Sequence, residues 1–378
     1  MKTKKFILLL FLMIPTFFVA VKAEEIGASK KEFYRQQLEL SGACEIENAL
    51  PDNAKEYMLQ NEIDLSDYNW VDKLSADNVF KHIFGFVASG GKASINAGIG
   101  VLGIILISSV LTATENKSST ITAAVYAMTT ATAAIIAIPV FSSVSASVNA
   151  MKGVGVFMLS FIPVFAVICA ASGAVLTSAS MSALLLTATQ VINYISNFAV
   201  LPLMGGYLAI SVSASVSPLI GKSEIAEGIK KLSFWIISLI TTVFIGILGI
   251  QTAVNASADN LSVKTAKFII GSAVPVAGTA LSEALTTVTA SMGLLKSSVG
   301  IYGVVACCVI FLPLLIELIL WRVVLTVTSC IAKIFSLPKI ASLLKSIDMM
   351  MSVLVGIILI TGAMFIISLT VVVTAGKT

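Results

Sequence analysis

Long apolar runs with few charges constrain this chain more than any other feature of its sequence. From Ala93 to Thr378 it carries only 7 acidic and 13 basic residues, and 12% of the whole chain is charged. Soluble globular domains carry roughly 25% charged residues, and the mean hydropathy here is +0.99. We therefore predict an all-α, polytopic membrane protein that is embedded in the lipid bilayer.

The apolar runs divide into about eight predicted spans, because a helix of about 20 apolar residues crosses a bilayer. They lie near 95–113, 120–140, 153–174, 177–196, 198–216, 232–251, 298–320 and 350–373. The loop 217–231 and the stretch 322–345 are rich in Lys and Arg, which predicts that both face the cytoplasm. This orientation holds only if the segment 266–297 enters and leaves the membrane on the outer side.

The N-terminus has the pattern of a signal peptide over residues 1–23. Lysines precede an apolar core at Phe6–Ala20, and small residues favour cleavage between Ala23 and Glu24. An uncleaved signal anchor is the alternative. Residues 24–92 then carry 13 acidic and 7 basic residues, a net charge of −6. We predict a small helical extracytoplasmic domain there.

The membrane region contains a predicted parallel internal repeat. Residues 93–152 hold the first two spans and a linker, residues 153–255 form the first copy and residues 266–374 the second. Proline helix breaks recur in order: Pro163 matches Pro275 at an offset of 112, and Pro202 matches Pro313 at an offset of 111. Repeats of this kind are a known transporter architecture.

The repeat and the charge pattern together predict re-entrant helical hairpins. Non-helical backbone at membrane depth needs surrounding protein or a water-filled cavity, so a hairpin tip near Gly278–Glu283 indicates a conduit. An ionisable residue at such depth is expensive and marks a functional site. Glu283 is therefore the main candidate, with Lys296 facing it across the hairpin; the alternative is a solvated Glu283 at the interface. The candidate conduit residues are Lys267, Gly271, Pro275, Gly278, Glu283 and Lys296.

Other charged and reactive residues suggest little chemistry. Glu317 and Arg322 are predicted to anchor a span at the inner interface together with Trp321; the alternative is that they pair with each other, although five positions is not the ideal helical spacing. The single histidine argues against His-based metal sites and catalytic triads. No nucleophile–base pair or phosphate-binding glycine loop is present, and the basic residues form no patch for nucleic acid. We predict no catalytic residues, no metal, no cofactor and no enzymatic activity.

Two stretches carry a family resemblance. The segment LSVKTAKFIIGSAVPVAGTALSEALTTVTASMGLLKSSVGIYGV, residues 261–304, resembles the signature region of the stage III sporulation protein AE family of endospore-forming bacteria. The closing FIISLTVVVTAGK, residues 365–377, is similar to the end of that family. The signal peptide, the acidic outer domain, the many spans and the chain length agree with it.

The resemblance implies a subunit of the channel, or feeding-tube, complex between mother cell and forespore. The implied location is the mother-cell membrane around the forespore. The implied partners are proteins of the same operon, namely a secretion-type ATPase and ring-forming membrane proteins, and a forespore membrane protein. Homo-oligomerisation stays open. Two alternatives also stay open, an independent secondary transporter of a small solute and a membrane scaffold that recruits ring proteins.

Overall fold

The computed structural model describes most of the chain from residue 28 to residue 374. The described residues are 28–67, 70, 76–113, 119–195, 198, 201–216, 242–251 and 278–374, with single positions between 228 and 265. The predicted signal peptide and its cleavage site at Ala23 and Glu24 lie outside these residues.

Every regular element in this described part is helical, as the sequence predicts. The acidic segment forms α1 (Ala28–Leu40), a 3-10 helix (Ala43–Ala49) and α2 (Asp52–Gln60). The apolar remainder forms α3 (Ala76–Ala113), α4 (Ser119–Ala171), α5 (Val175–Ile195), α6 (Leu201–Val216), α7 (Thr242–Gln251), α8 (Gly278–Ile334) and α9 (Pro338–Thr374).

Four helices are long and apolar enough to cross a membrane: α3, α4, α8 and α9. Three shorter apolar helices, α5, α6 and α7, accompany them. This finding agrees with a membrane protein, but it does not confirm eight spans. The predicted spans 120–140 and 153–174 belong to one continuous helix, α4, because Lys152 and its polar neighbours do not interrupt the helical hydrogen bonds.

The two longest helices exceed the thickness of a bilayer. With 53 and 57 residues, α4 and α8 extend about 80 and 85 Å at 1.5 Å per residue, against about 30 Å for the hydrocarbon core. Both continue through prolines, at Pro139 and Pro163 in α4 and at Pro313 in α8. Pro139 and Pro313 are partly buried, whereas Pro163 is exposed.

The centre of the bundle is an antiparallel packing of α4, α8 and α9. Gly300 of α8 lies against Phe165 and Val373, and Gly303 one turn later lies against Phe161 and Leu369. The residue numbers fall on α4 and α9 as they rise on α8, so both neighbours run opposite to α8. The glycines allow this close approach because a side chain at either position would meet these neighbours.

Two tight turns of one kind reverse the chain, after α4 and after α8. Ala174 N donates to Cys169 O and Gly173 N to Ala170 O, each at 3.0 Å. The turn at Ser336 repeats this pattern, with Leu337 N donating to Ala332 O at 2.9 Å. This is the Schellman arrangement, which places a left-handed residue just after the helix. Gly173 has φ 96° and Ser336 has φ 56°.

The described part of the acidic segment docks against the side of the bundle. Trp70, which is fully buried, donates from Nε1 to Ser298 Oγ at 3.0 Å, and its ring meets Tyr302 edge-on at 5.9 Å. The Tyr34 hydroxyl lies 2.9 Å from the same Ser298 Oγ. On the other side, Pro51 packs against the backbone of α4 at Gly153. The segment is therefore an integral part of the fold.

The docked segment presents an acidic surface, but one of its carboxylates is half-buried. Glu47 Oε1 accepts a hydrogen bond from Leu65 N at 3.3 Å. Burial raises the pKa of this carboxyl, and the nearby Asp64 charge raises it further, against the opposing effect of that hydrogen bond. Because burial disfavours the charged form, Glu47 costs the docked state stability when it ionises.

Candidate functional site

The hairpin residues predicted from sequence fall partly on a helix. Gly278 begins α8, and Glu283 lies in its second turn, where its side chain is outside the described set. The predicted pairing of Glu283 with Lys296 is not what the structure has. Both residues belong to one continuous helix and stand 13 positions apart, which is about 20 Å along its axis. They therefore do not face each other across a hairpin.

The remaining predicted residues have mixed positions. Lys267, Gly271 and Pro275 lie outside the described residues. The three prolines offered as equivalent helix breaks, Pro163, Pro202 and Pro313, differ in the structure. Pro202 is the second described residue of α6. The helix continues through the other two.

Lys296 is nevertheless a notable residue, since only 3% of it is exposed. It lies within electrostatic range of Cys169, at the turn between α4 and α5. A second buried charge, Asp259, caps the beginning of α5 from a distant part of the chain. Its two carboxylate oxygens accept from Leu176 N at 2.7 Å and Thr177 N at 3.0 Å. A carboxylate there satisfies free N–H groups and opposes the helix dipole.

A second group of charged and hydroxyl side chains, which is less buried than Lys296 and Asp259, lies between α4, α8 and α9. Arg322 Nε donates to Asp348 Oδ1 at 3.1 Å. One and a half turns earlier on α8, Glu317 Oε1 accepts from Ser143 Oγ of α4 at 2.6 Å. We call Ser143, Glu317, Arg322 and Asp348 the polar cluster. It joins three helices through charged contacts.

The polar cluster replaces the interface anchor predicted for this region. The Trp321 side chain faces the protein interior: it is 1% exposed and packed in the core, and its Nε1 has no hydrogen-bond acceptor among the described residues. Arg322 turns instead to Asp348 on α9, a partner that sequence spacing does not reveal. The one sequence feature that could have indicated this partner is Asp348 itself, an acidic residue in an apolar stretch. Ser143 could not have been singled out, because it is one of many serines.

The polar cluster leads to a prediction about its ion pair. The side chains of Arg322 and Asp348 are 34% and 23% exposed. Removing one partner leaves a half-buried charge without compensation. We expect Arg322→Leu or Asp348→Leu alone to destabilise the protein by about 1–3 kcal/mol, and the double variant to cost less than the sum.

The measurement is a double-mutant cycle on purified full-length protein, followed by thermal unfolding in detergent. The matched control is Lys345→Leu, because Lys345 is exposed on the same helix as Asp348. It is introduced into the unmodified protein and into the Arg322→Leu variant. Additive effects of the two Leu variants at Arg322 and Asp348 would contradict a coupled pair.

With the fold and the polar cluster described, the comparison with known proteins gives the family. A sequence profile of the family "Stage III sporulation protein AE" matches residues 67–376. The chain belongs to the stage III sporulation protein AE family. The matched range includes all of α3 to α9 and therefore the whole polar cluster.

One curated relative supports the assignment. The stage III sporulation protein AE of Bacillus subtilis (strain 168) is 24% identical over 304 residues, which cover 79% of this chain and 75% of the relative. No solved structure matches the chain. Both stretches on which the resemblance rests, 261–304 and 365–377, fall within or at the end of the family match, and membership implies a role in sporulation.

Proposed function

We propose that this chain is the integral membrane subunit of the mother cell-to-forespore channel complex, and that it forms or gates the membrane conduit. The observation that carries the proposal is the polar cluster within an apolar bundle. A helix that only anchors a protein needs no charges between its neighbours, and ionisable groups at membrane depth usually serve transport or signalling. In the proposed orientation Arg322–Asp348 and Glu317–Ser143 would be such groups, since they lie within helices that are long and apolar enough to cross a membrane.

The proposed orientation places the docked acidic segment outside the mother-cell cytoplasm and the α8–α9 turn inside. Lys333, Lys339 and Lys345 surround that turn, in agreement with the excess of basic residues on cytoplasmic loops. Lys339 also lies 3.1 Å from the centroid of the Tyr126 ring near the start of α4, so the two helix starts lie at one end.

A revised number of crossings fits this orientation. We propose six, with α4 as one crossing and α5 and α6 together as another. Two contacts support this arrangement. Asp259 holds the start of α5 next to the α4–α5 turn, at one end of the bundle. The Tyr207 hydroxyl of α6 donates to Ser346 O at 3.0 Å, near the beginning of α9 and thus at the other end of the bundle. The basic loop 217–231 and the cytoplasmic end of the basic stretch 322–345, at the α8–α9 turn, would then both face the cytoplasm.

The parallel repeat remains part of the proposal in a modified form. In each copy the chain runs from the outer end of the bundle to the cytoplasmic end and then returns. The first copy uses α5 and α6 for this course, and the second uses α8 alone. The segment 266–277 would return on the outer side without crossing, and a tip near Gly278 would line the conduit.

The proposed partners follow from the family role and the two faces of the protein. A secretion-type ATPase of the same operon would bind at the basic cytoplasmic end. Ring-forming membrane proteins and the forespore membrane protein would meet the acidic segment between the two membranes. Chain copies would associate within the mother-cell membrane around the forespore.

The test is complementation in the native host with full-length variants. Gly278→Leu and Glu283→Gln change the proposed tip. Gly293→Leu is the control on the same helix, where an added Cβ meets nothing within 4 Å. For a conduit, we expect the tip variants to co-purify with the operon partners but to lose late forespore reporter expression, while the control keeps both.

Two other outcomes would contradict the proposal in different ways. Normal reporter expression in both tip variants would favour a scaffold that recruits ring proteins. Saturable uptake of a solute by the purified chain alone in lipid vesicles would favour an independent secondary transporter.

A further inference from the structure

A narrow groove runs along the first turns of α9, a helix that its neighbours otherwise cover. Within α9, which is described throughout, only Pro338, Ser342, Lys345 and Thr374 are exposed. Ser342 and Lys345 lie three positions apart and therefore on one face of the helix. Met349, which is partly buried, continues that face one turn later. We call Ser342, Lys345 and Met349 the α9 groove.

Helices α8 and α6 form the two walls of the α9 groove. On one side, Arg322 Nε of α8 donates to Asp348 Oδ1 at 3.1 Å. On the other side, the Tyr207 hydroxyl of α6 donates to Ser346 O at 3.0 Å. At about 100° per residue, Asp348 is turned about 60° from Lys345 in one direction and Ser346 about 100° in the other. The groove residues therefore face the gap between α8 and α6.

The α9 groove and its α8 wall carry unused hydrogen-bond donors. An arginine side chain has five N–H groups, and in the described part of the chain only the Nε–H of Arg322 has an acceptor. Lys345 forms no hydrogen bond or ion pair with any described residue. Its Cβ lies about 5–6 Å from that of Asp348, three positions later on the same helix. Two cations thus share one carboxylate, which leaves one positive charge uncompensated among these three residues.

We propose that Arg322 and Lys345 bind a phosphate group in the α9 groove, carried by the headgroup of an anionic lipid or by a soluble anion. The bond from Nε to Asp348 fixes the guanidinium and leaves both Nη groups to donate to two phosphate oxygens. The ammonium of Lys345 adds a contact from the helix next to it. This site goes beyond the conduit proposal and does not depend on it.

The surroundings of the site favour a lipid as the source of the phosphate. Val323 and Val327, in the turns of α8 beside Arg322, are 55% and 51% exposed and offer an apolar surface for an acyl chain. Lys345 lies seven residues after Pro338, about 10 Å from the beginning of α9. Because the α8–α9 turn lies at an end of the apolar bundle, the Lys345 side chain can reach a headgroup layer.

The experiment measures the lipids bound to the full-length protein by native mass spectrometry in detergent. The probes are phosphatidylglycerol and phosphatidylcholine with the same acyl chains, titrated separately. We expect phosphatidylglycerol to bind about tenfold more tightly, the effect of one charge-assisted hydrogen bond. In a second arm, the melting temperature is compared in sodium phosphate and in sodium chloride of equal ionic strength. Stabilisation by phosphate without a lipid preference would identify a soluble anion as the source.

Two groove variants and one control decide the assignment. Arg322→Lys keeps a cation beside Asp348 but loses the planar fork, and Lys345→Gln leaves the ion pair in place. We expect each to weaken binding of the preferred phosphate probe about tenfold. Lys152→Gln is the matched control, since it removes the same charge from an exposed lysine of α4, and it should keep the affinity.

A phosphate preference that survives either groove variant would overturn the proposal, because the phosphate would then bind elsewhere. An equal loss in Lys152→Gln would also overturn it, since the probe would then respond only to net charge. The same holds if the unmodified protein prefers neither phosphatidylglycerol nor inorganic phosphate. If Arg322→Lys does not accumulate, Lys345→Gln decides the outcome, because Lys345 is exposed and its replacement does not disturb the Arg322–Asp348 pair.

Discussion

Replacing Gly300 with Leu should strongly destabilise the packing of α4, α8 and α9. A Cβ at this position would overlap with Val373 of α9 and would lie 3.2 Å from the Phe165 ring of α4. Valine is short and stiff at χ1, so it has no flexible end to move away. Forcing extra atoms into such a site costs about 1–3 kcal/mol, and a leucine here exceeds the typical case.

The matched control for Gly300→Leu is Gly293→Leu, two turns earlier on the same helix. An added Cβ at Gly293 meets nothing within 4 Å, and leucine favours a helix over glycine by roughly 0.8 kcal/mol. We expect Gly293→Leu to keep or raise the melting temperature in detergent, and Gly300→Leu to lower it strongly or prevent accumulation. Equal melting temperatures would mean that α4, α8 and α9 are not packed as closely as described.

The second large effect is expected at Trp70, where the acidic segment docks. Its indole is fully buried, donates to Ser298 and meets the Tyr302 ring at 86°. Truncating a buried tryptophan to alanine typically lowers the free energy of unfolding by 3–5 kcal/mol, and we expect about 4 kcal/mol here. We expect Trp70→Ala to release the segment from the bundle and to make residues 28–70 sensitive to protease while the apolar helices stay folded.

Trp235→Ala is the control for this change, because Trp235 is 63% exposed. It removes the same side chain without leaving a cavity, so protease sensitivity of the acidic segment should not change. The conservative variant Ser298→Ala should have an intermediate effect, since it leaves the Trp70 N–H without its acceptor. An acidic segment that stays protected in Trp70→Ala would show that docking does not depend on this contact.

Hydropathy and charge alone predict the helical class, the membrane character and the acidic N-terminal part of this protein. These are properties of long stretches, and each depends on many residues at once. The family could also be recognised from 261–304, because that resemblance rests on local sequence. The positions at which one helix ends and the next begins were harder to predict. Nothing in the composition of α4 indicates whether the chain turns at residues 141–152 or continues as a helix through them.

The contacts of the polar cluster could not be predicted because they join distant parts of the chain. Glu317 and Arg322 are five apart on α8, and sequence spacing suggests a partnership or a common surface. Packing decides otherwise: Arg322 binds Asp348, and Glu317 binds a serine 174 positions away. Trp321 was expected at an interface for its residue type, yet the same antiparallel packing of α8 buries it.

Measuring which end of the bundle faces the outside of the cell tests most directly whether this chain is a membrane subunit that serves the space around the forespore. In a cysteine-free background, Asn48→Cys places a thiol on the exposed acidic segment, and Ser336→Cys places one in the exposed α8–α9 turn. Non-sporulating cells that produce the protein in their outer cell membrane are treated intact with a membrane-impermeant maleimide, so that the outer face of that membrane is accessible to the reagent. We predict labelling at position 48 in intact cells and at position 336 only after permeabilisation. Labelling at position 336 from outside would contradict the orientation, and the proposed conduit with its cytoplasmic ATPase would fail with it.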